Sequence, residues 1–162
     1  MSTDQSIDQI IGAVRRLDGS LVVAPAVGDP GFPELAWGDA FFYYAPDGEM
    51  PRTVQPYGTI VTKNYPDDTS SDLDPPGLWR VNIRVDRETF RELTGHGTGE
   101  QTTDDAAVDH AAADVVLPHP VYGSAGWIAV VTPGSRTGET VLRLLRAAHD
   151  AARARYERRR TG

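Results

Sequence analysis

The fold of this chain is decided by the stretch Leu78-Trp79-Arg80-Val81-Asn82-Ile83-Arg84-Val85, in which large apolar and polar residues alternate. Successive side chains of a β-strand point to opposite faces of its sheet. The apolar positions 79, 81, 83 and 85 therefore predict one packed face. Arg80, Asn82 and Arg84 predict a polar face on the other side.

Helices are predicted at both ends of the chain. Ser6-Ile7-Asp8-Gln9 is typical of a capping box, and apolar residues then recur at helical spacing as far as Leu17. Thr137 begins a last helix whose apolar stripe extends to Tyr156. A short helix capped by Asp86 ends at Gly95, and residues 104–113 are also predicted to be helical.

Four further segments have the composition of strands, at residues 21–24, 36–44, 57–63 and 127–131. The order of elements predicts an α+β fold, with a mainly antiparallel sheet of about five strands and the N-terminal and C-terminal helices packed on one face. A length of 162 residues fits a single globular domain over residues 1–162, with a short basic end to its last helix.

The composition excludes several classes of function. The chain has no cysteine, which excludes disulfides, thiolate catalysis and cysteine-ligated metals. A net charge of −7 disfavours binding to nucleic acid. The chain lacks an apolar run of about 18 residues and a signal peptide, so we expect a cytoplasmic protein without a membrane partner. Of 16 basic residues only Lys63 is lysine, a bias typical of GC-rich, actinobacterial genomes.

A rigid turn at residues 117–126 holds the strongest candidate for chemistry. Pro118 and Pro120 fix the backbone on either side of His119, and Gly123 releases it afterwards. His119 is a candidate general acid or base, and Tyr122 a candidate proton donor. The structural alternative is that the imidazole binds backbone groups and that Tyr122 closes the turn over Trp127.

A second candidate set contains polar and aromatic residues of the sheet. Arg80 and Asn82, joined by Lys63, are predicted to bind an anionic group of a ligand, since guanidinium groups bind carboxylate or phosphate. The alternative is a solvated face, or pairing with aspartates of the loop at residues 64–74. Further candidates to line a pocket are Tyr44, Asp39 and Trp127.

No metal or cofactor is predicted. His110 and Asp114 have the spacing of helical metal ligands but lack further ligands in an HExxH pattern. The glycines at 95, 97 and 99 follow a helix and do not form a phosphate-binding loop. A Gly-x-Ser-x-Gly nucleophile motif is also absent from the sequence.

Four segments together carry a resemblance to a known family: WGDAFFYY at 37–44, TIVTKNYP at 59–66, RVNI at 80–83 and LPHPVYG at 117–123. They resemble an uncharacterised, mainly actinobacterial family of domain-of-unknown-function proteins, across nearly the whole chain. The order of elements is more distantly similar to that of MmcQ/YjbR-like proteins. That similarity implies DNA binding or drug resistance, but the acidity of this chain departs from a DNA binder.

These observations favour a small-ligand protein of actinobacterial metabolism, either a binding module or a cofactor-independent enzyme of acid/base chemistry such as isomerisation, cyclisation or elimination. The ligand is expected to be a small, anionic molecule, and the protein a monomer or homodimer. One alternative is a non-enzymatic interaction module that binds protein or nucleic acid through the basic helix end or the polar sheet face. Another is a dimeric structural subunit with an apolar patch on the aromatic strand.

Overall fold

A computed structural model describes residues 6–75, 77–95 and 109–161 of the chain. Its helices are α1 (Ile7–Arg15), α2 (Arg87–Thr94) and α3 (Gly138–Thr161). Its strands are β1 (Ser20–Val23), β2 (Ala40–Tyr44), β3 (Gly58–Val61), β4 (Arg80–Arg84), β5 (Leu117–Pro118) and β6 (Trp127–Val131). The strands form one sheet in the order β1-β2-β3-β4-β6-β5, and adjacent strands are antiparallel. The predicted α+β fold is confirmed.

The sheet has one face covered by helices, as the alternation in β4 predicts. Val81 and Ile83 are fully buried on that face, whereas Arg80 and Asn82 lie on the opposite face. The described sheet has six strands instead of about five. The additional strand is β5. The sequence does not predict it, because it contains two residues and pairs only at the edge of β6.

The terminal helices supply the other half of the main core. Apolar residues of α1 and α3 pack against the side chains of β2, β3, β4 and β6 that point to the same face. The buried ones from the helices are Ile10, Val14, Val141, Leu144, Leu145 and Ala148. Burial of such side chains contributes roughly 1.5–3 kcal/mol each, so the layer of helices and the sheet stabilise one another.

The predicted helix caps are confirmed. Ser6 and Gln9 form the reciprocal capping box of α1. Asp86 caps α2, which ends at Gly95 in the left-handed conformation. The predicted helix at 104–113 is wrong in its described part, since residues 109–113 form a turn and one bridge, while residues 104–108 lie outside the described residues. The Asp109 carboxylate accepts the Ala111 N–H, a local bond that competes with helix formation.

The opposite face of the sheet is partly covered by two loops, which follow β3 and β5. A small second core of Val61, Leu73 and Val131 anchors the first loop to the sheet. The loop at residues 119–126 is the predicted histidine turn, and it leads into β6. Within the described ranges, none of the helices combines the length and the apolarity that crossing a bilayer requires.

Candidate functional site

A pocket of about 280 Å³ lies between the two loops on the face of the sheet that the helices leave open. Its floor is set by strand register. Phe41 pairs with Thr59, and Thr59 pairs with Asn82, so these three side chains stand in one row across β2, β3 and β4. Val61 and Arg80 form the next row. Antiparallel partners share a face of the sheet, which explains why residues far apart in sequence line one pocket.

The walls of the pocket come from the loops and from the adjacent strand β6. The loop after β3 contributes Tyr65, Asp67 and Asp68, and the histidine turn contributes His119, Val121 and Tyr122. Trp127, Gln55 and Pro56 complete the lining. Tyr122 is half exposed at 52 %, whereas His119 is buried at 5 %, so the turn places a phenol near the solvent and an imidazole in the interior.

Arg80 is held in the floor by a network of hydrogen bonds. Its Nη1 donates to Oδ1 of Asp68 and to Oγ of Ser71, both at 3.0 Å, and its Nη2 donates to Oδ2 of Asp68. Its Nε donates to Oδ1 of Asn82 at 2.8 Å, and Asn82 donates to Oγ1 of Thr59 at 3.0 Å. The Arg80 side chain is 2 % exposed, so Asp68 neutralises its charge inside the protein.

Asp68 is ionised in this arrangement. Burial opposes its ionisation, but the hydrogen bonds and charge of Arg80 outweigh that effect and hold the pKa of the Asp68 carboxyl below its usual value. The sequence left open that the sheet arginines pair with an aspartate of the 64–74 loop, and Arg80 makes such a pair with Asp68. Arg84 instead is exposed at the end of β4.

The imidazole of His119 is fixed by its own turn. Nδ1 accepts the backbone N–H groups of Val121 and Tyr122, each at 3.0 Å. Pro120 lies between His119 and these two residues and has no N–H of its own. Its fixed φ bends the chain back over the ring. The backbone of the turn is held as well, because His119 N–H donates to the Trp127 carbonyl at 2.9 Å and Gly123 N–H to the His119 carbonyl at 3.0 Å.

These two backbone donors assign the tautomer of His119. A nitrogen that accepts two N–H groups has no proton of its own, so the proton of the neutral ring is on Nε2. Nη2 of Arg80 lies 3.2 Å from Nε2, and since both atoms then carry hydrogen, this contact brings two donors together. Oδ2 of Asp68 is 3.7 Å from Nε2, beyond hydrogen-bond range.

The basicity of the His119 ring is low. Burial disfavours the charged ring, and the nearby Arg80 charge adds to this effect, so the pKa of His119 is lowered to about 4 despite the attraction of Asp68. Protonation would also have to occur at Nδ1 and displace both backbone donors. At neutral pH His119 is therefore a neutral ring that presents one N–H at the floor of the pocket.

Behind the pocket wall lies a second buried network centred on Asp39. Asp39 accepts hydrogen bonds from the backbone N–H of Thr62 at 2.8 Å, from Nζ of Lys63 at 3.0 Å and from the hydroxyl of Tyr65. Burial, reinforced by this bond to a carboxylate, raises the pKa of Tyr65. The network holds Tyr65 in place, with its ring lining the pocket and its hydroxyl turned away to Asp39.

The pocket brings together five of the eight residues predicted as site residues: His119, Tyr122, Arg80, Asn82 and Trp127. Asp39 and Lys63 do not line it, because β3 ends at Val61 and the chain then turns so that Lys63 reaches Asp39 and the Trp37 carbonyl. Tyr44 points to the helical face, where its ring packs edge-on against those of His149 and Tyr156.

Other lining residues are absent from the sequence prediction. Phe41 and Thr59 belong to predicted strands, but only the strand order and register place them beside Asn82. Tyr65 and Asp68 lie in a loop rich in polar residues, where no periodicity marks one residue as a partner. The described residues contain no group of three or more His, Asp or Glu side chains placed to hold a metal ion.

Comparison with known proteins relates the chain to a family. A model of a protein family described as a family of unknown function (DUF6194) matches residues 4–161. No curated protein and no solved structure matches the chain. The indications of function therefore come from the pocket itself.

Proposed function

The chain belongs to DUF6194, a family of unknown function, and from the geometry of its pocket we propose that it binds a small organic ligand through a hydrogen-bond acceptor of that ligand. The observation that carries the proposal is the Nε2–H of His119. This donor is buried in the pocket floor, and among the described residues it has no acceptor within hydrogen-bond distance. A buried donor without an acceptor costs about 1–3 kcal/mol, which a ligand carbonyl or hydroxyl oxygen would offset.

The rest of the pocket supports the same proposal. Ligand sites are typically concave and largely apolar, with a few fixed polar groups. Here apolar and aromatic side chains surround His119 and Asn82, and the backbone bonds of the turn fix the direction of the imidazole before any ligand arrives. Such preorganisation lowers the cost of ordering the site upon binding.

Chemical-shift mapping with benzamide, a planar carbonyl compound, tests this proposal. We expect benzamide to perturb the indole N–H of Trp127 and the amides of Val121 and Tyr122 in wild-type protein. The matched variant is His119→Asn, because its Oδ1 takes over the acceptor role of Nδ1 while the Nε2–H is lost. Affinity should fall about tenfold, the equivalent of about 1.4 kcal/mol. Equal binding to both proteins, or shifts only outside the pocket, would contradict the proposal.

An enzymatic form of the function is a second candidate, favoured by the neutral state of His119. A neutral imidazole N–H polarises a bound carbonyl oxygen and so assists proton transfer at the neighbouring carbon, as in isomerisation or elimination. In this form His119 donates to the carbonyl oxygen, Tyr122, at the pocket mouth, acts as its partner, and water in the pocket takes up the proton released from carbon. Exchange of such a carbon-bound proton for deuterium in D₂O, faster with wild type than with His119→Asn, would support it.

The remaining expectations from the sequence stay predictions. They are the cytoplasmic location, the actinobacterial origin, the monomeric or homodimeric state, and the alternative of an interaction module. In α3, Arg153 pairs with Glu157 at 3.1 Å and Arg160 donates to the Tyr156 hydroxyl at 3.1 Å. Intrahelical pairing of this kind is also typical of a solvated helix surface.

A further inference from the structure

The charges around the pocket differ from those expected of an anion site. Arg80 has four of its five N–H groups bound to Asp68, Ser71 and Asn82, and its charge is balanced by Asp68. The fifth N–H faces the His119 ring. Arg80 is therefore a structural cation with its donors already in use, and does not supply a free bidentate anchor for a ligand carboxylate.

Lys63, the other cation expected to bind an anion, is also committed. Its three ammonium hydrogens match three acceptors: the Trp37 carbonyl at 2.9 Å, Oδ1 of Asp39 at 3.0 Å and Oγ1 of Thr62 at 3.3 Å. Asp39 balances its charge, and neither residue lines the pocket.

One charge of the lining is left uncompensated. The charges of Arg80 and Asp68 cancel, and His119 is neutral at pH 7. The exposed carboxylate of Asp67 therefore gives the described lining a net charge of −1. No ion pair within 4.0 Å involves Asp67 among the described residues. The net charge of −7 for the whole chain has the same sign. This distribution attracts cations to the pocket and repels anions.

The aromatic content of the lining favours the same class of ligand. Phe41, Tyr65, Tyr122 and Trp127 all line the pocket. Aromatic faces attract ammonium groups by about 0.5–1 kcal/mol at exposed sites and by more where water is excluded. Aromatic rings together with a carboxylate are thus suited to an organic ammonium ion.

We propose that the ligand of this pocket is a small organic amine, protonated at neutral pH, which also carries a neutral oxygen acceptor. This inference rests on the proposed function, since the acceptor is the group that binds the Nε2–H of His119. The ammonium group then lies among the aromatic side chains on the side of Asp67. The charge of this ligand is opposite to that of the anionic ligand expected from the sequence.

Three para-substituted benzamides separate the two proposals, because they share the amide and the ring and differ in charge. They are 4-(aminomethyl)benzamide, 4-(hydroxymethyl)benzamide and 4-carbamoylbenzoate, which are cationic, neutral and anionic at pH 7. We expect the cation to bind to wild-type protein about tenfold more tightly than the anion, with the neutral compound between them. The measurement is a titration that follows the Trp127 indole N–H and the amides of Val121 and Tyr122.

Asp67→Asn is the test variant, since it removes the charge of an exposed side chain and keeps its shape. The preference for the cation should fall to about threefold or less. Equal affinities of the three compounds in wild type, or tightest binding of the anion, would overturn the inference and leave the proposed function in place. If none of the three perturbs the pocket at millimolar concentration, the proposed function fails and the inference fails with it.

Discussion

Asp68 and Arg80 form a bidentate ion pair beneath the pocket. Nη1 of Arg80 lies 3.0 Å from Oδ1 of Asp68, and Nη2 donates to Oδ2. The pair joins the loop after β3 to the centre of the sheet. Since the Arg80 side chain is 2 % exposed, the loop carboxylate supplies the countercharge that lets an arginine occupy the pocket floor. The pair therefore fixes both the position of the loop and the charge of the pocket.

Replacing Asp68 by asparagine should lower the free energy of unfolding by about 3 kcal/mol, because breaking one side of a buried pair leaves an uncompensated charge. Urea denaturation at pH 7 measures this loss. The control is Asp67→Asn, one residue earlier and exposed, for which we expect a change below about 0.5 kcal/mol. Similar values for the two variants would show that the pair does not anchor the loop.

The pH dependence of stability should reveal His119. Its folded pKa of about 4 lies below its ordinary value of 6.5, so between these values the unfolded chain takes up a proton before the folded chain does. The contribution of His119 is therefore complete above about pH 6.5 and is lost as the pH falls toward 4. The free energy of unfolding should decrease by up to about 1.4 kcal/mol per pH unit in this window.

His119→Asn provides the comparison, since asparagine retains an acceptor for Val121 and Tyr122 but does not titrate. The variant should show a shallower slope between pH 6.5 and 4. A long-range ¹H–¹⁵N spectrum of wild type at pH 7 tests the tautomer directly, with Nε2 protonated and Nδ1 bare. A proton on Nδ1 would refute the assignment.

Asp114 should stabilise the beginning of α3. Its carboxylate accepts the backbone N–H groups of Gly134, Arg136 and Thr137 at 2.8–2.9 Å and the hydroxyl of Thr137 at 2.6 Å. Burial opposes its ionisation, but these bonds prevail and lower the pKa of Asp114 to about 2. This contribution is present above the ordinary pKa of an aspartate and is lost as the pH falls through about 2.

We expect Asp114→Ala to lower the free energy of unfolding by about 2 kcal/mol, the upper end of the range for lost helix caps. Asp114→Asn should cost less, since asparagine retains Oδ1 and tolerates the left-handed backbone of this residue, with φ at 57°. Thermal unfolding at pH 7 distinguishes them. The opposite order of the two variants would contradict a capping role.

The parts of the fold that the sequence predicts are those governed by local periodicity. Alternation in β4 assigns Val81 and Ile83 to the core and Arg80 and Asn82 to the other face. The capping motifs of α1 and α2 likewise depend on neighbours in sequence. Strand β5 contains two residues, which is too short for any period to appear.

The site is less predictable because its geometry depends on long-range choices. The alternation of β2 separates Phe41 from Tyr44, but only packing against α3 decides that Tyr44 faces the helices and Phe41 the pocket. Lys63 would share the pocket face with Val61 if β3 continued for two more residues, and it does not because the strand ends at Val61. Which aspartate of the loop pairs with Arg80 depends on a loop conformation that has no sequence period.

Gly58 should resist substitution because it brings β3 close to α3. A Cβ atom at this position would lie 2.9 Å from Cδ2 of Leu145 and 3.2 Å from Cδ2 of Phe42. Forcing an extra methyl group into a packed core costs typically 1–3 kcal/mol, so Gly58→Ala should lower the free energy of unfolding by about 2 kcal/mol.

Gly12→Ala is the same substitution inside α1, where the new atom meets only Nη2 of Arg16 at 3.8 Å. Alanine is the better helix former by about 1 kcal/mol, so this control should stabilise the protein. Urea denaturation measures both changes in the free energy of unfolding, and opposite signs would locate the effect of Gly58→Ala in the contact between sheet and helix. An unchanged free energy of unfolding in Gly58→Ala would show that Leu145 can move aside.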